Sequence, residues 1–325
     1  MSFLKRFFKV VLLIAVLALP LLAWWQRYSV YDWWRLRDYI PSAAISSLAG
    51  ADSMTPKAQH YFYINRPMQI ESVAAFHSDC PDSEKSIVLG CYHGGQNGIF
   101  IYAVKDSRLG GVQQVTAAHE MLHAAYERLS SKDRQYLDNL TANFYKTVKD
   151  QRIIDEINLY KKTEPNSVRD EMHSVFGTEI ASLPAPLESY YQRYFLKRAV
   201  VIAFAQAYQA EFTNRTNQIN ADDAQLVQMR ANITNQESSL SSLLKQLQTD
   251  RARLDSLRSS GQIGAYNAAV AGFNNEVVNY NSKLGELQRD IDSYNQLVAS
   301  RNALAVELRG LDSAIDTRLT SQTAK

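Results

Sequence analysis

From residue 201 to the end of the sequence there is no proline, and the apolar residues fall into two sets of heptads. The second set is unbroken: Tyr266, Val270, Phe273, Val277, Tyr280, Leu284, Leu287, Ile291, Tyr294 and Val298, in alternating steps of four and three. That spacing puts them all on one seam of an α-helix, the a/d stripe of a coiled coil. The first set is Leu226, Met229, Ile233, Gln236, Leu240, Leu243, Leu247, Asp250, Leu254 and Leu257. It keeps the alternation, with Gln236 and Asp250 as polar breaks. Between the sets, SSGQIG (259–264) holds two glycines in six residues. A turn there folds the arms into an antiparallel α-helical coiled-coil hairpin over 201–320, burying both seams within one chain. An unbroken rod that dimerises is the alternative. Neither arrangement performs chemistry, so a reactive site must lie upstream.

At the other end, Lys5, Arg6 and Lys9 precede the uncharged run VVLLIAVLALPLLAWW (10–25). With Phe7 and Phe8, the apolar segment approaches the roughly 20 residues that cross a bilayer. Trp24, Trp25, Tyr28, Tyr31, Trp33 and Trp34 crowd its far end, where indole and phenol rings favour the headgroup zone. The pattern predicts a transmembrane signal anchor over 1–27, a single pass with the C-terminal bulk extracytoplasmic, followed by a juxtamembrane linker with short helices over 28–60. A cleaved signal peptide is the alternative, but it needs a small-x-small site, and the run offers only Leu21-Leu22-Ala23. In an exported chain Cys80 and Cys91 are candidates for a disulfide, with a reduced, buried pair as the alternative. The net charge is +2, from 35 basic and 33 acidic residues, and no long basic run occurs. No nucleic-acid partner is expected.

The middle of the chain, 61–200, reads as α+β. MQIESVAAF (68–76), KSIVLGCYH (85–93) and GIFIYAV (98–104) are β-rich, and the turn GGQN (94–97) joins the last two as a hairpin. Helices follow from Val112 to Leu129, and over 132–162 with a break. Ser167 and Asp170 read as a capping-box variant starting a short helix that Gly177 ends. LPAP (183–186) starts another long helix.

The stretch VTAAHEMLHAAYERLS (115–130) carries the chemistry. His119 and His123 are four apart, so on a helix they share a face one turn apart. Two imidazoles so placed can bind one Zn²⁺. Glu120 can reach a zinc-bound water, whose pKa the metal lowers from about 15.7 to about 7. It can then accept the proton as hydroxide attacks a peptide carbonyl. Val115, Ala118, Leu122 and Leu129 form one apolar stripe on this helix. His77 and His93 lie among the strands and read as non-ligands.

Strands, then an HExxH helix, then a later helix with acidic residues: this order, over roughly 60–200, resembles the zincin metallopeptidases. The longer pattern HExxHxxGxxH is absent, since AAYERLS follows His123. The resemblance is therefore gluzincin-like, with the subfamily unassigned, and it implies a third ligand from a downstream helix. Glu171 is that candidate, with His173 and Glu179 as alternatives. Where the gluzincin branch carries Asp four residues past its Glu, this chain has Val175. The resemblance also implies an edge strand that binds substrate backbone by strand addition, here 98–104. An oxyanion stabiliser is expected too, with Tyr190, Tyr191 and Tyr194 as candidates. The expected function is thus a membrane-anchored, extracytoplasmic, zinc-dependent peptidase acting on a peptide or protein substrate. The competing expectation is a non-enzymatic envelope scaffold that binds a protein partner through the coiled coil.

Overall fold

Short helices lead into the sheet, two of them started by side-chain caps. The computed structural model describes residues 7, 16, 18, 20, 26–81 and 87–318. Helix α1 spans Arg27–Leu36, α2 spans Ala43–Ala51 and α3 spans Pro56–Ile64. Ser42 caps α2 by accepting from the Ile45 amide, and Thr55 caps α3 by accepting from Ala58, with Pro56 in the first turn. Ile45, Leu48, Ala58 and Phe62 from these helices belong to the main core. Residues 28–60, expected as a linker, are therefore structural. Their apolar residues are spaced too irregularly to announce a buried face, and burial comes from partners far along the chain.

Strand β1 (Met68–Ile70) leads into helix α4 (Val73–Asp79), then strands β2 (Gly90–His93) and β3 (Gly98–Tyr102). Within MQIESVAAF only the first three residues are strand, because Ser72 accepts from the Ala75 amide and starts α4. The sheet order is β1-β3-β2, with β1 parallel and β2 antiparallel to β3. The stretch 98–104, expected as an edge, contains the central strand. Cys80 and Cys91 stand at disulfide distance, with 6.0 Å between their Cα atoms, and tie the end of α4 to β2.

Helix α5 (Val112–Glu127) carries the HExxH segment. It starts at Gly111, whose φ is +99° and where an added Cβ would sit 3.0 Å from the Phe204 backbone oxygen. Glycine alone meets both conditions. Ala117, Ala118, Met121, Leu122, Ala124 and Ala125 are all buried, so α5 is enclosed on most faces rather than along one stripe. Around it come α6 (Ser131–Tyr145), α7 (Gln151–Thr163), α8 (Val168–Glu179) and α9 (Ala185–Tyr191), before α10 (Arg198–Ser259) and α11 (Ile263–Ile315). LPAP thus starts a short helix, and the long one begins at Arg198. The molecule is α+β, mostly helical with a small mixed sheet.

The chain divides into two compact units, Met1–Ala210 with Ala314–Lys325, and Glu211–Ser313. In the second unit α10 and α11 run antiparallel. Arg215 pairs with Glu307, Asp223 with Arg301, and Gln236 donates to Asp290. Gly261, at φ +72°, makes the turn between them. Every seam position named above is buried or half-buried. Among the described residues no helix is long and apolar enough to cross a membrane. The expected anchor, 1–27, lies largely outside the described residues.

Candidate metal centre

Two helices build the site. On α5 the i, i+4 spacing places His119 and His123 on one face, with ring centroids 4.8 Å apart. On α8, Glu171 lies in the first turn and faces them. His119 Nε2 is 3.5 Å from Glu171 Oε2, and His123 Nε2 is 3.6 Å from Glu171 Oε1. One ligand atom from each of the three residues falls within 4.8 Å of the others. Tetrahedral zinc with bonds of about 2.0–2.1 Å holds its ligand atoms about 3.3 Å apart, and each imidazole stands near that distance from one oxygen of the Glu171 carboxylate. Glu171 Oε2 is buried without a hydrogen-bond partner, an acceptor left for a cation. The donor set, two imidazoles and a carboxylate, suits Zn²⁺.

The electrostatics agree. Burial pulls the His123 imidazole down, but Asp170 and Glu171 outweigh it and hold it up at about 10. Burial also lowers His119, and the nearby Glu171 together with the Glu120 charge more than offsets this. Burial pushes the Glu171 carboxyl up, yet the two imidazoles bring it below its ordinary value. Glu120 goes the other way: burial raises its carboxyl, and the imidazoles only partly draw it back. The pocket attracts positive charge while keeping one carboxyl ready to exchange a proton.

His123 Nδ1 has its own support. Asp170 Oδ1 lies 3.0 Å from it, off the line of a hydrogen bond, and Ser174 Oγ lies 3.3 Å away. These groups occupy Nδ1 and leave Nε2 for the cluster. Asp170 is therefore not a helix cap. Ser167 makes no side-chain cap bond either, so the expected capping box does not form.

The alternative ligands lie elsewhere. His173 is fully buried, stacked on Tyr191 with centroids 5.5 Å apart, and neither of its ring nitrogens has a partner. Burial drives its imidazole well below the ordinary range, so it is a neutral core residue. Glu179 pairs with Arg152 at 2.7 Å and accepts from Gln209 at 2.8 Å. The three candidate tyrosines have their hydroxyls engaged: Tyr191 donates to the His173 carbonyl, and Tyr190 and Tyr194 bond each other.

Two residues near the site were not expected. Tyr160 of α7 lies near enough to Glu171 to help hold its carboxyl down, and burial raises its phenol. Its only signal in the sequence is a tyrosine on the helix before Glu171. Gly90 of β2 is the other. A Cβ there would meet Thr116 Cγ2 at 2.5 Å and Glu120 Oε1 at 2.9 Å. The start of β2 thus crosses α5 directly beside Glu120, and only glycine fits. Comparison with family models, with curated proteins and with solved structures finds no match to this chain.

Proposed function

We propose that the chain is a gluzincin-like zinc peptidase, anchored in a membrane by its N-terminal segment, with its bulk extracytoplasmic and a coiled-coil hairpin over 201–320. The observation that carries this reading is one Glu171 carboxylate at 3.5 and 3.6 Å from the Nε2 atoms of His119 and His123, with Glu120 buried beside them. His119, His123 and Glu171 would hold Zn²⁺, which when bound supplies a Lewis acid and makes water a nucleophile near neutral pH. Glu120 accepts the proton of the attacking water and returns it to the leaving amine. Asp170 and Ser174 hold the His123 ring in orientation. Tyr160, close to Glu171, would steady that carboxylate.

The substrate strand is reassigned. Because β3 is central, an extended peptide adds to β2, the outer strand whose start lies against Glu120. The scaffold reading rests on the hairpin alone and accounts for none of the buried charges around α5.

The test separates metal binding from chemistry. Zinc is expected at about one ion per chain, raising the melting temperature until a chelator removes it. Glu120→Gln is expected to keep the zinc and to cut peptide cleavage by about 10²–10⁴-fold. Protein equilibrated with zinc and found without stoichiometric metal ends the proposal.

A further inference from the structure

The outer edge of β2 is partly taken. In an antiparallel pair the N–H and C=O of one residue point to the same side, and the side alternates along the strand. Leu89 O accepts from Tyr102 N at 2.8 Å, so Leu89 faces β3. With the pairing Gly90↔Ile101 and Tyr92↔Ile99, the backbone groups of Val88, Gly90 and Tyr92 face away from the sheet. This is where a peptide adding to β2 finds its hydrogen bonds. The Val88 carbonyl, two residues before the glycine that touches Glu120, is already bonded. Thr317 Oγ1 donates to it at 2.8 Å.

That contact is built. Thr317 is fully buried, although it follows α11 close to the C-terminus. Its two neighbours form a closed local turn: the Arg318 amide and guanidinium both donate to the Asp316 carboxylate, at 3.1, 2.7 and 2.7 Å. Sequence separation makes the contact costly in chain entropy, 229 residues from donor to acceptor, so it is not a product of local geometry.

We propose that residues 316–318 are an intramolecular strap that occupies the upstream end of the substrate edge and competes with an extended peptide for it. The proposal rests on the peptidase reading for what the edge binds, but not for the strap itself. An incoming peptide displaces Thr317 from Val88 O and takes the same acceptor. Occupancy of the strap therefore raises KM and leaves the reacting groups untouched.

The experiment compares the full chain, full-length Thr317→Val and a chain ending at Ile315, each loaded with zinc, on reduced and carboxymethylated casein. Thr317→Val keeps the shape and removes the donor. KM is expected to fall about fivefold with kcat unchanged, the factor that a net hydrogen bond of about 1 kcal/mol represents. The shortened chain is expected to fall at least as far. Binding of fluorescent casein is measured in parallel on the same three chains carrying Glu120→Gln. Cleavage with the same KM in all three overturns the strap and leaves the peptidase reading standing. Tighter casein binding by both variants, without cleavage by any chain, supports the strap and removes the peptidase reading. A chain that neither binds nor cleaves casein in any form overturns both.

Discussion

Asp170 sits next to Glu171 in sequence but serves a different partner, His123 Nδ1. Groups of this kind fix a ligand's tautomer and ring orientation. Asp170→Asn is expected to weaken zinc binding by about 10–100-fold, measured by competition with a chelator of known affinity. Unchanged affinity would return Asp170 to a role in the helix terminus. At this scale the sequence was partly legible. His119, Glu120 and His123 stand out because a helix of 3.6 residues per turn brings i and i+4 together without help from the rest of the fold. Glu171 could be ranked by residue type and position, and the structure brings it to the pair. Asp170 could not be placed, since Ser-x-x-Asp also spells a helix start and local rules cannot say which partner wins. The tyrosines at the end of α9 and just beyond it, Tyr190, Tyr191 and Tyr194, turn inward for a similar reason. Tyrosine is amphipathic, and its hydroxyls found the His173 carbonyl and each other inside the core.

Elements are positioned by glycines whose meaning depends on what they face. Gly177 looks like a helix stop, yet α8 runs through it to Glu179. An added Cβ there would meet Leu122 Cδ1 at 2.5 Å and Tyr191 Cε1 at 2.6 Å. Gly177 thus lets α8 approach α5, which brings Glu171 to the histidines. Gly177→Ala is expected to cost about 1–3 kcal/mol of stability by overpacking, and to weaken zinc binding as the helices part. A lower melting temperature with unaltered zinc affinity would show that the spacing of α5 and α8 does not set the site. Gly90 makes the companion case for β2. Gly90→Ala is expected to leave zinc bound and to lower kcat by about ten- to a hundredfold, because Glu120 must move. Full activity in that variant would place the working position of Glu120 away from β2. Strand order was the least legible feature of this scale. The parallel pairing of β1 with β3 joins residues 68–70 to 100–102, and no local pattern announces it. The hairpin of β2 and β3, closed by a short turn, was readable for the opposite reason.

In the molecule as a whole the heptads were the most legible part, because a seam that repeats over so many turns admits few folded solutions. Their polar breaks carry information the pattern does not. Gln236 is answered across the hairpin by Asp290. Asp250 is instead met by Glu276, another carboxyl. Burial and then the Asp250 charge push the Glu276 carboxyl above its ordinary value, and its Oε2 has no hydrogen-bond partner. A carboxyl whose pKa is raised on folding stabilises the fold below its unfolded value, near pH 4.3, and loses that contribution as pH rises through the folded value. At neutral pH the pair therefore opposes the hairpin. Asp223 acts in the reverse direction on acidification, since Arg301 holds its carboxyl below the ordinary value. The comparison must accordingly be made between variants at each pH. Residues 211–313, a compact unit with its cross-arm bonds internal, are expected to be helical and monomeric when made alone. In that fragment Glu276→Gln is expected to raise the melting temperature at pH 7, where the amide can donate to Asp250, and to leave it unchanged near pH 4. Circular dichroism melts at the two pH values decide the matter. An equal shift at both would mean that packing, not the shared negative charge, sets the effect of residue 276.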